Sequence, residues 1–358
     1  MKERRTAIAK LVFRPELVDS VLFTKGAPTP DSTRRDVDLE VAAATAPELL
    51  ADENVDPQDA FVGGLRHAKA RVTMEVGLAE LAGELKTREA TMVLSALADA
   101  TLEHATKRAL EERGLERGLA VIAMGKLGGR EIGYGSDLDI FFVYDAPGRE
   151  DELAEKYVRA AQRVLSLVST PHGAGPGYEL DTRLRPSGSH GLLVVSLDAF
   201  ARYHGLTREG APLEDAAEDR GDRAADWERQ ALIKARACAG DTELGRKVIA
   251  LASRVAYERG APDAAALNHL RMRMERELAK EGPRRYDVKL GRGGIVDVEF
   301  AVQWLQMKYG ADPRVRTTDT ETAIGALETC GYLDASVAAV LREGYAMLRR
   351  LEQALRVV

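Results

Sequence analysis

The sequence predicts an α+β (or small α/β) fold, and three observations carry that prediction. Apolar residues recur at helical spacing over most of the chain. Short extended runs crowd between residues 119 and 196, and a single helical stretch of about twenty residues separates the second run from the third. At 358 residues the chain exceeds one simple core and suits two or three domains. An apolar fraction of 45% with a net charge of -6 fits a globular protein and argues against a general nucleic-acid binder, since such domains are strongly basic. The two cysteines, Cys238 and Cys330, fall inside helical patterns and form neither a disulfide framework nor a zinc cluster, as expected in a reducing cytosol. No run reaches the length of a membrane span, and MKERRTAIAKLVF lacks the apolar core and cleavage site of a secretory leader. The expectation is a cytoplasmic protein with no membrane or nucleic-acid partner.

Taken in order, residues 1 to about 22 read as a helix, followed by a polar link, KGAPTPDSTRRD. Helical spacing covers about 57–82 and about 87–113, the second with Thr87 as cap and Gly114 as stop. Residues 1–117 thus form a helical region without evident chemistry. The character changes at LAVIAMG, 119–125, an apolar run ending in glycine. DLDIFFVY, YELDTRLR (178–185) and GLLVVS (191–196) are the other extended stretches, with the helix DELAEKYVRAAQRVLSLVST among them. Residues 118–206 make up the catalytic candidate. Ser196 reads as a helix cap. A charged insertion at 207–226, read as a solvated loop, precedes a helical region over 227–358. Its helices are expected at 226–238, 241–258, 262–281, 293–309, 320–330 and 334 onward, the last ending uncapped as in a longer polypeptide.

The chemistry gathers around GYGSDLDIFFVYD, 133–145. Residues two apart on a strand share a face, so Asp137 and Asp139 present two carboxylates together. By the same alternation Glu179, Asp181, Arg183 and Arg185 share a face, and Asp181 completes a three-carboxylate cluster if the strands are neighbours. Three acids at close range stay ionised only if a cation neutralises them. Hard oxygen donors of this kind suit Mg²⁺ carrying a phosphate-bearing substrate. Two ions about 4 Å apart can hold the attacking and departing oxygens of a phosphoryl displacement. The plain alternative is that Asp137 and Asp139 pair with Arg183 or Arg185. Preceding the acids, AMGKLGGREIGYGSD offers Gly125 at a strand end, Lys126, and a return through Gly135 and Ser136. Glycines admit a phosphate close to the backbone, and Lys126 and the Ser136 hydroxyl could touch its outer groups. The pattern is not a P-loop.

An apolar residue with glycine, then Asp-x-Asp on a strand about ten residues later, then a further aspartate, resembles the polymerase-β-like nucleotidyltransferase superfamily. Four ordered blocks sharpen the resemblance: MGKLGGREIGYGSDLDIFFVYD, YELDTRLRPSGSHGLLV, WERQALIKAR and YDVKLGRGGIVDVEF. They are similar to the bifunctional glutamine synthetase adenylyltransferase/adenylyl-removing family, whose long chains carry two related halves. RPSG at 185–188 and the Asp297–Glu299 pattern look more like the carboxy-terminal, adenylylating half. The 207–226 insertion is longer than the connection expected there.

The resemblance implies a nucleotidyltransferase sheet flanked by largely helical domains. It implies transfer of AMP from ATP to a tyrosine hydroxyl of glutamine synthetase, with pyrophosphate released. Two Mg²⁺ ions, or Mn²⁺, would sit at Asp137, Asp139 and Asp181, though Asp181 could instead accept the proton. It also implies PII signal protein and glutamine as regulators. Rival readings are the adenylyl-removing half, which works by phosphorolysis, and a non-catalytic regulatory module. Arg183 and Arg185 could contact phosphates or pair with nearby acids. Trp227, Gln230, Ala231 and Lys234 fall on one helical face, with Trp227 expected in the core and Lys234 as a phosphate or substrate contact. Lys289 precedes a helix start and could reach the nucleotide. Asp297 and Glu299 are expected in a structural or interdomain role, and neither His172 nor His190 has a partner at metal-ligand spacing.

Overall fold

The computed structural model describes residues 26–186, 191–213 and 226–357. The helix expected at 1–22, most of the charged insertion, Ser187, Gly188 and His190 lie outside the described residues. The chain divides into two compact units, one formed by residues up to Glu116 with Arg130–Leu138 and Arg159–Leu180, the other by the remainder.

In the first unit three helices pack on one another: α1 (Pro30–Ala44), α2 (Pro57–Leu81) and α3 (Thr87–Glu111). Helix α1 corrects the polar link expected there. Thr29 caps it, its hydroxyl accepting from the Ser32 amide at 3.2 Å while Ser32 Oγ accepts from the Thr29 amide at 2.9 Å, a reciprocal cap that frees Pro30 to open the first turn. Asp56 caps α2 by accepting from the Gln58 amide. Helix α3 begins one position earlier than expected. Lys86, extended at φ -83° and ψ 159°, stands at the cap, and Glu89 accepts its amide at 2.8 Å, which leaves Thr87 as the first helical residue. Leu65, Val72 and Val76 of α2 and Leu97 and Leu102 of α3 are wholly buried, each contributing about 1.5–3 kcal/mol. A Cβ on Gly64 would lie 2.9 Å from Ala44 Cβ, so α1 and α2 meet where only glycine fits. The buried guanidinium of Arg66 donates to the Leu167 and Thr170 carbonyls, capping the end of the helix α4 (Glu150–Ser169).

The second unit is built on a five-stranded sheet. Strand β1 (Leu119–Ala123) pairs antiparallel with β2 (Leu138–Tyr144) and with β5 (Arg236–Gly240), β3 (Leu180–Asp181) lies on the far side of β2, and β4 (Val194–Ser196) runs parallel to β2. All five residues of β1 are buried, so it reads as a continuous apolar run rather than an alternation. The Ser196 hydroxyl accepts from the Ala199 amide and starts α5 (Leu197–Tyr203) as expected. The region 226–238 departs from the helix expected there. Helix α6 covers only Asp226–Ala231, a 3₁₀ turn follows at Leu232–Lys234, and Arg236–Gly240 is the edge strand β5, which places Cys238 on a strand. The sequence RQALIKARACA has helical propensity throughout, and pairing with β1 overrides it.

The remaining helices follow the sequence closely: α7 (Thr242–Tyr257), α8 (Ala264–Leu278), α9 (Ile295–Lys308), α10 (Thr320–Thr329) and α11 (Ala335–Val357). Asp241, Asp263 and Asp319 cap α7, α8 and α10. Ile295, Val302, Ile324, Leu327, Ala338 and Tyr345 form the core that binds α9, α10 and α11 together. Among the described residues no helix is long and apolar enough to cross a membrane.

Candidate active site

The three predicted acids come together. Asp137, Asp139 and Asp181 each offer a carboxylate oxygen, and these atoms lie within 4.8 Å of one another. Strand pairing places them. Asp137 immediately precedes β2, Asp139 is its second residue, and Asp181 ends β3 beside it, with the Leu138 amide donating to the Glu179 carbonyl at 2.9 Å. The Met124 amide donates to the Asp139 carbonyl at 2.8 Å, anchoring the strand entry to the end of β1.

The glycine turn after β1 is shaped around these acids. Gly125 has φ +50°, and a Cβ there would sit 2.4 Å from Asp139 Oδ2; backbone conformation and space both demand glycine. A Cβ on Gly128 would lie 1.8 Å from the Lys234 carbonyl oxygen. Arg236 of β5 donates to the carbonyls of Leu127 and Gly128 at 2.9 and 3.2 Å and so holds the turn from its other side. Further on, Gly135 has φ +58°, and Ser136 Oγ accepts from the Gly133 amide at 3.1 Å while its own amide donates to the Gly133 carbonyl. The Ser136 hydroxyl therefore shapes the turn that leads into the acids.

The cationic candidates are placed as follows. Arg183 folds back onto Asp181. Its amide and Nε donate to Oδ1 at 2.8 and 3.0 Å, and its Nη2 donates to Oδ2. This hydrogen-bonded pairing, outweighing the opposing effect of burial, holds the Asp181 carboxyl below the usual range. Arg185 donates to Thr182 Oγ1 and to the Thr182 and Gly191 carbonyls, bracing the connection after β3. Lys126 Nζ pairs with Glu352 of α11. Lys234 is buried, its Nζ donating to Thr320 Oγ1 at 2.8 Å; it lies beyond α6, so it does not continue that helix's face. Lys289 is exposed in the turn before α9, its amide on Asp287.

Trp227 corrects an expectation, being 44% exposed. Helix α6 is six residues long and buries Arg229 and Gln230 instead, so Trp227 borders a small cavity with Met124, Leu184, Arg185 and Phe200. Asp297 binds Arg271 at 2.6 Å and Glu299 accepts from the Tyr345 hydroxyl at 3.2 Å, structural contacts of the expected kind. His172 Nδ1 accepts from the Ala174 amide. Sequence reasoning missed Gly128, Arg236 and Glu352. A second glycine in KLGG hinted at the first; the other two depend on contacts more than a hundred residues apart.

The sequence that builds this site has relatives. The model of the glutamate-ammonia ligase adenylyltransferase family matches residues 9–250. The chain belongs to that family. A model described as GlnD PII-uridylyltransferase matches residues 265–358, the region of α8 to α11. A protein of Burkholderia pseudomallei named bifunctional glutamine synthetase adenylyltransferase/adenylyl-removing enzyme is 34% identical over 97% of this chain and 36% of its own length. Similarly named proteins are 36% identical in Bordetella bronchiseptica, over 82% of this chain and 30% of the relative, and 34% identical in Mycobacterium avium, over 88% and 32%. The chain therefore spans about a third of the length of the adenylyltransferases it matches. The acid cluster and the glycine turn both fall inside the adenylyltransferase match.

Proposed function

We propose that the chain transfers AMP from ATP to a tyrosine hydroxyl of glutamine synthetase and releases pyrophosphate. The observation that carries this reading is the set of three carboxylates within 4.8 Å beside a turn whose Gly125 cannot carry a side chain. The donor set is all oxygen and all acidic, which suits Mg²⁺ or Mn²⁺ at Asp137, Asp139 and Asp181. Divalent ions bound there would neutralise the acids, hold the triphosphate and make the tyrosine hydroxyl more acidic.

The chain's own residues do the rest. Asp139 is fixed at its backbone by Met124 and faces the bare backbone of Gly125. Asp181 is kept ionised by Arg183 and so stays an anionic oxygen donor, while the proton of the phenol, whose ordinary pKa is near 10, passes to solvent. In the transfer the phenol oxygen bonds to the α-phosphorus, the bond to the bridging oxygen breaks, and its electron pair leaves with pyrophosphate. RPSG at 185–188 and the Asp297–Glu299 pattern support the adenylylating direction over adenylyl removal. By family, PII signal protein and glutamine are the regulators, and the setting is the cytoplasm.

Incubation with α-labelled ATP, Mg²⁺ and unmodified glutamine synthetase tests the proposal. Label on a synthetase tyrosine is the expected result. Absence of label, together with phosphate-dependent release of ADP from adenylylated synthetase, would assign the chain to the reverse task. Neither activity would leave a regulatory module.

A further inference from the structure

One face of helix α2 touches both loops that lead into the acids. Asp59, Gly63, Arg66, Lys69, Gly77 and Glu80 follow the three- and four-residue steps that line one side of a helix. His172 Nε2 stands 3.3 Å from Asp59 Oδ1, and a Cβ on Gly63 would lie 3.1 Å from the His172 ring. Arg66 Nη2 donates to the Leu167 and Thr170 carbonyls at 2.8 and 2.6 Å. Lys69 Nζ donates to the Pro176 and Gly177 carbonyls at 3.1 and 2.7 Å and lies 4.3 Å from the centre of the Tyr178 ring. Near the end of α2 the Tyr134 hydroxyl donates to Glu80 Oε2 at 2.6 Å, and a Cβ on Gly77 would lie 3.7 Å from that hydroxyl.

The two loops share a pattern. Each carries a buried tyrosine three residues ahead of an acid, Tyr134 before Asp137 and Tyr178 before Asp181, and α2 holds both tyrosines. An ammonium has three donors and also attracts an aromatic face, so Lys69 fixes three consecutive residues, 176 to 178, at once. Burial, and after it the neighbouring Arg66, brings its pKa down to about 8, so it is still an ammonium at neutral pH. From the other side the end of α4 closes on the same loop. A Cβ on Gly177 would lie 2.3 Å from the Ser169 carbonyl oxygen, and the Tyr178 amide donates to the Val168 carbonyl at 3.0 Å. Just beyond the tyrosines the Leu138 amide meets the Glu179 carbonyl. The loops therefore enter β2 and β3 already tied to one helix and to each other.

We propose that Lys69 and Glu80 are positioning residues for the acid cluster: acting through Tyr178 and Tyr134, one helix sets how far Asp181 stands from Asp137. The inference rests on the reading that these acids hold divalent ions. Carboxylates that share an ion must be held at a fixed spacing, and residues outside the ligand set supply that hold. Neither Lys69 nor Glu80 needs to touch metal or substrate to do so.

Mn²⁺ affinity of the full chain, read by electron paramagnetic resonance without nucleotide, tests this in two double-mutant cycles. Lys69→Met should weaken Mn²⁺ binding roughly tenfold, and Lys69→Arg, which keeps a charged donor, should recover most of that loss. On an Asp181→Asn background Lys69→Met should cost less than about twofold, because the loop no longer carries a ligand to place. Tyr134→Phe, which takes the hydroxyl from Glu80, should couple to Asp137→Asn in the same way and not to Asp181→Asn. A lysine that serves only the fold would cost the same on both backgrounds; that result, or unchanged affinity in folded Lys69→Met, overturns the proposal. Should Lys69→Met fail to fold, Lys69→Gln must show the same coupling with a smaller loss. Amide exchange separates this inference from the proposed reaction. Lys69→Met should speed exchange at Leu138 about tenfold without any metal, and unchanged exchange there overturns the hold of α2 while leaving the reaction standing. Faster exchange at Leu138, with no Mn²⁺ bound by the parent chain, would instead remove the metal reading and leave the hold of α2 on the two loops.

Discussion

Two Asp-x-Arg triplets in the second unit have nearly the same local structure and different surroundings. In Asp181-Thr182-Arg183 and in Asp312-Pro313-Arg314 the arginine amide donates to the aspartate Oδ1, at 2.8 and 3.0 Å, and the guanidinium grips both oxygens. The arginines are 77% and 69% exposed and the aspartates 14% and 12%. In both, the hydrogen bond from the arginine side chain is the main cause that lowers the carboxyl pKa. The grip is therefore what this triplet does locally. The neighbours differ. Asp181 has Asp137 and Asp139 within 4.8 Å, whereas Asp312 has the Tyr332 hydroxyl at 3.3 Å and caps a 3₁₀ turn. The Arg183 grip therefore distinguishes nothing by itself; the two further acids beside Asp181 set this triplet apart.

Substitution at the acids sharpens that contrast most. Asp139→Asn should lower AMP transfer about 10³-fold, since several kcal/mol of charge stabilisation go with the carboxylate. Asp312→Asn should leave the rate within about twofold, since Asp312 does not belong to the acid cluster. Comparable losses in steady-state assays of the two variants would break the distinction.

The glycine turns give the next largest effect. Gly128→Ala would force its Cβ against the Lys234 carbonyl and should cost on the order of 3 kcal/mol of stability in denaturant titration. Gly135→Ala meets nothing within 4 Å and only keeps φ +58°, a cost of about 1–2 kcal/mol. Equal costs would mean that the turn yields and does not hold Lys126 in place.

Arg183→Gln should tighten Mn²⁺ binding at the acids roughly fivefold, by removing a cation that shares Asp181. Arg314→Gln should change it not at all, and electron paramagnetic resonance reads both. The smallest effect is on acid stability. Both aspartate pKa values are depressed in the folded state, so each carboxylate's contribution is complete above its unfolded pKa near 4 and is lost as pH falls through the folded value. Arg314→Gln should flatten the stability curve below pH 4 when followed by circular dichroism. A steeper curve would contradict the sign.

The acids were legible because alternation along an extended segment brings residues two apart to one face, even though Asp137 lies just ahead of β2 and β3 is only two residues long. Helix starts were legible where an aspartate or serine caps them, as at Asp241 and Ser196. The Thr29–Ser32 cap was equally present in the sequence, but two prolines and several charges nearby read as a link. Strand β5 was hidden because LIKARACA carries helical propensity and becomes a strand only through β1. The partners of Lys126 and Lys234 were beyond reach, since spacing along the chain says nothing of contacts such as Lys126 with Glu352 or Lys234 with Thr320.

The central claim is that Asp137, Asp139 and Asp181 jointly hold the divalent ions that bind the nucleotide. Anomalous diffraction from crystals soaked with Mn²⁺ and a non-hydrolysable ATP analogue tests it directly. The account predicts a manganese peak in contact with all three carboxylates and with the triphosphate. A peak bound elsewhere, or a triphosphate bound while Asp181 stays turned to Arg183 with no ion among the acids, would contradict it.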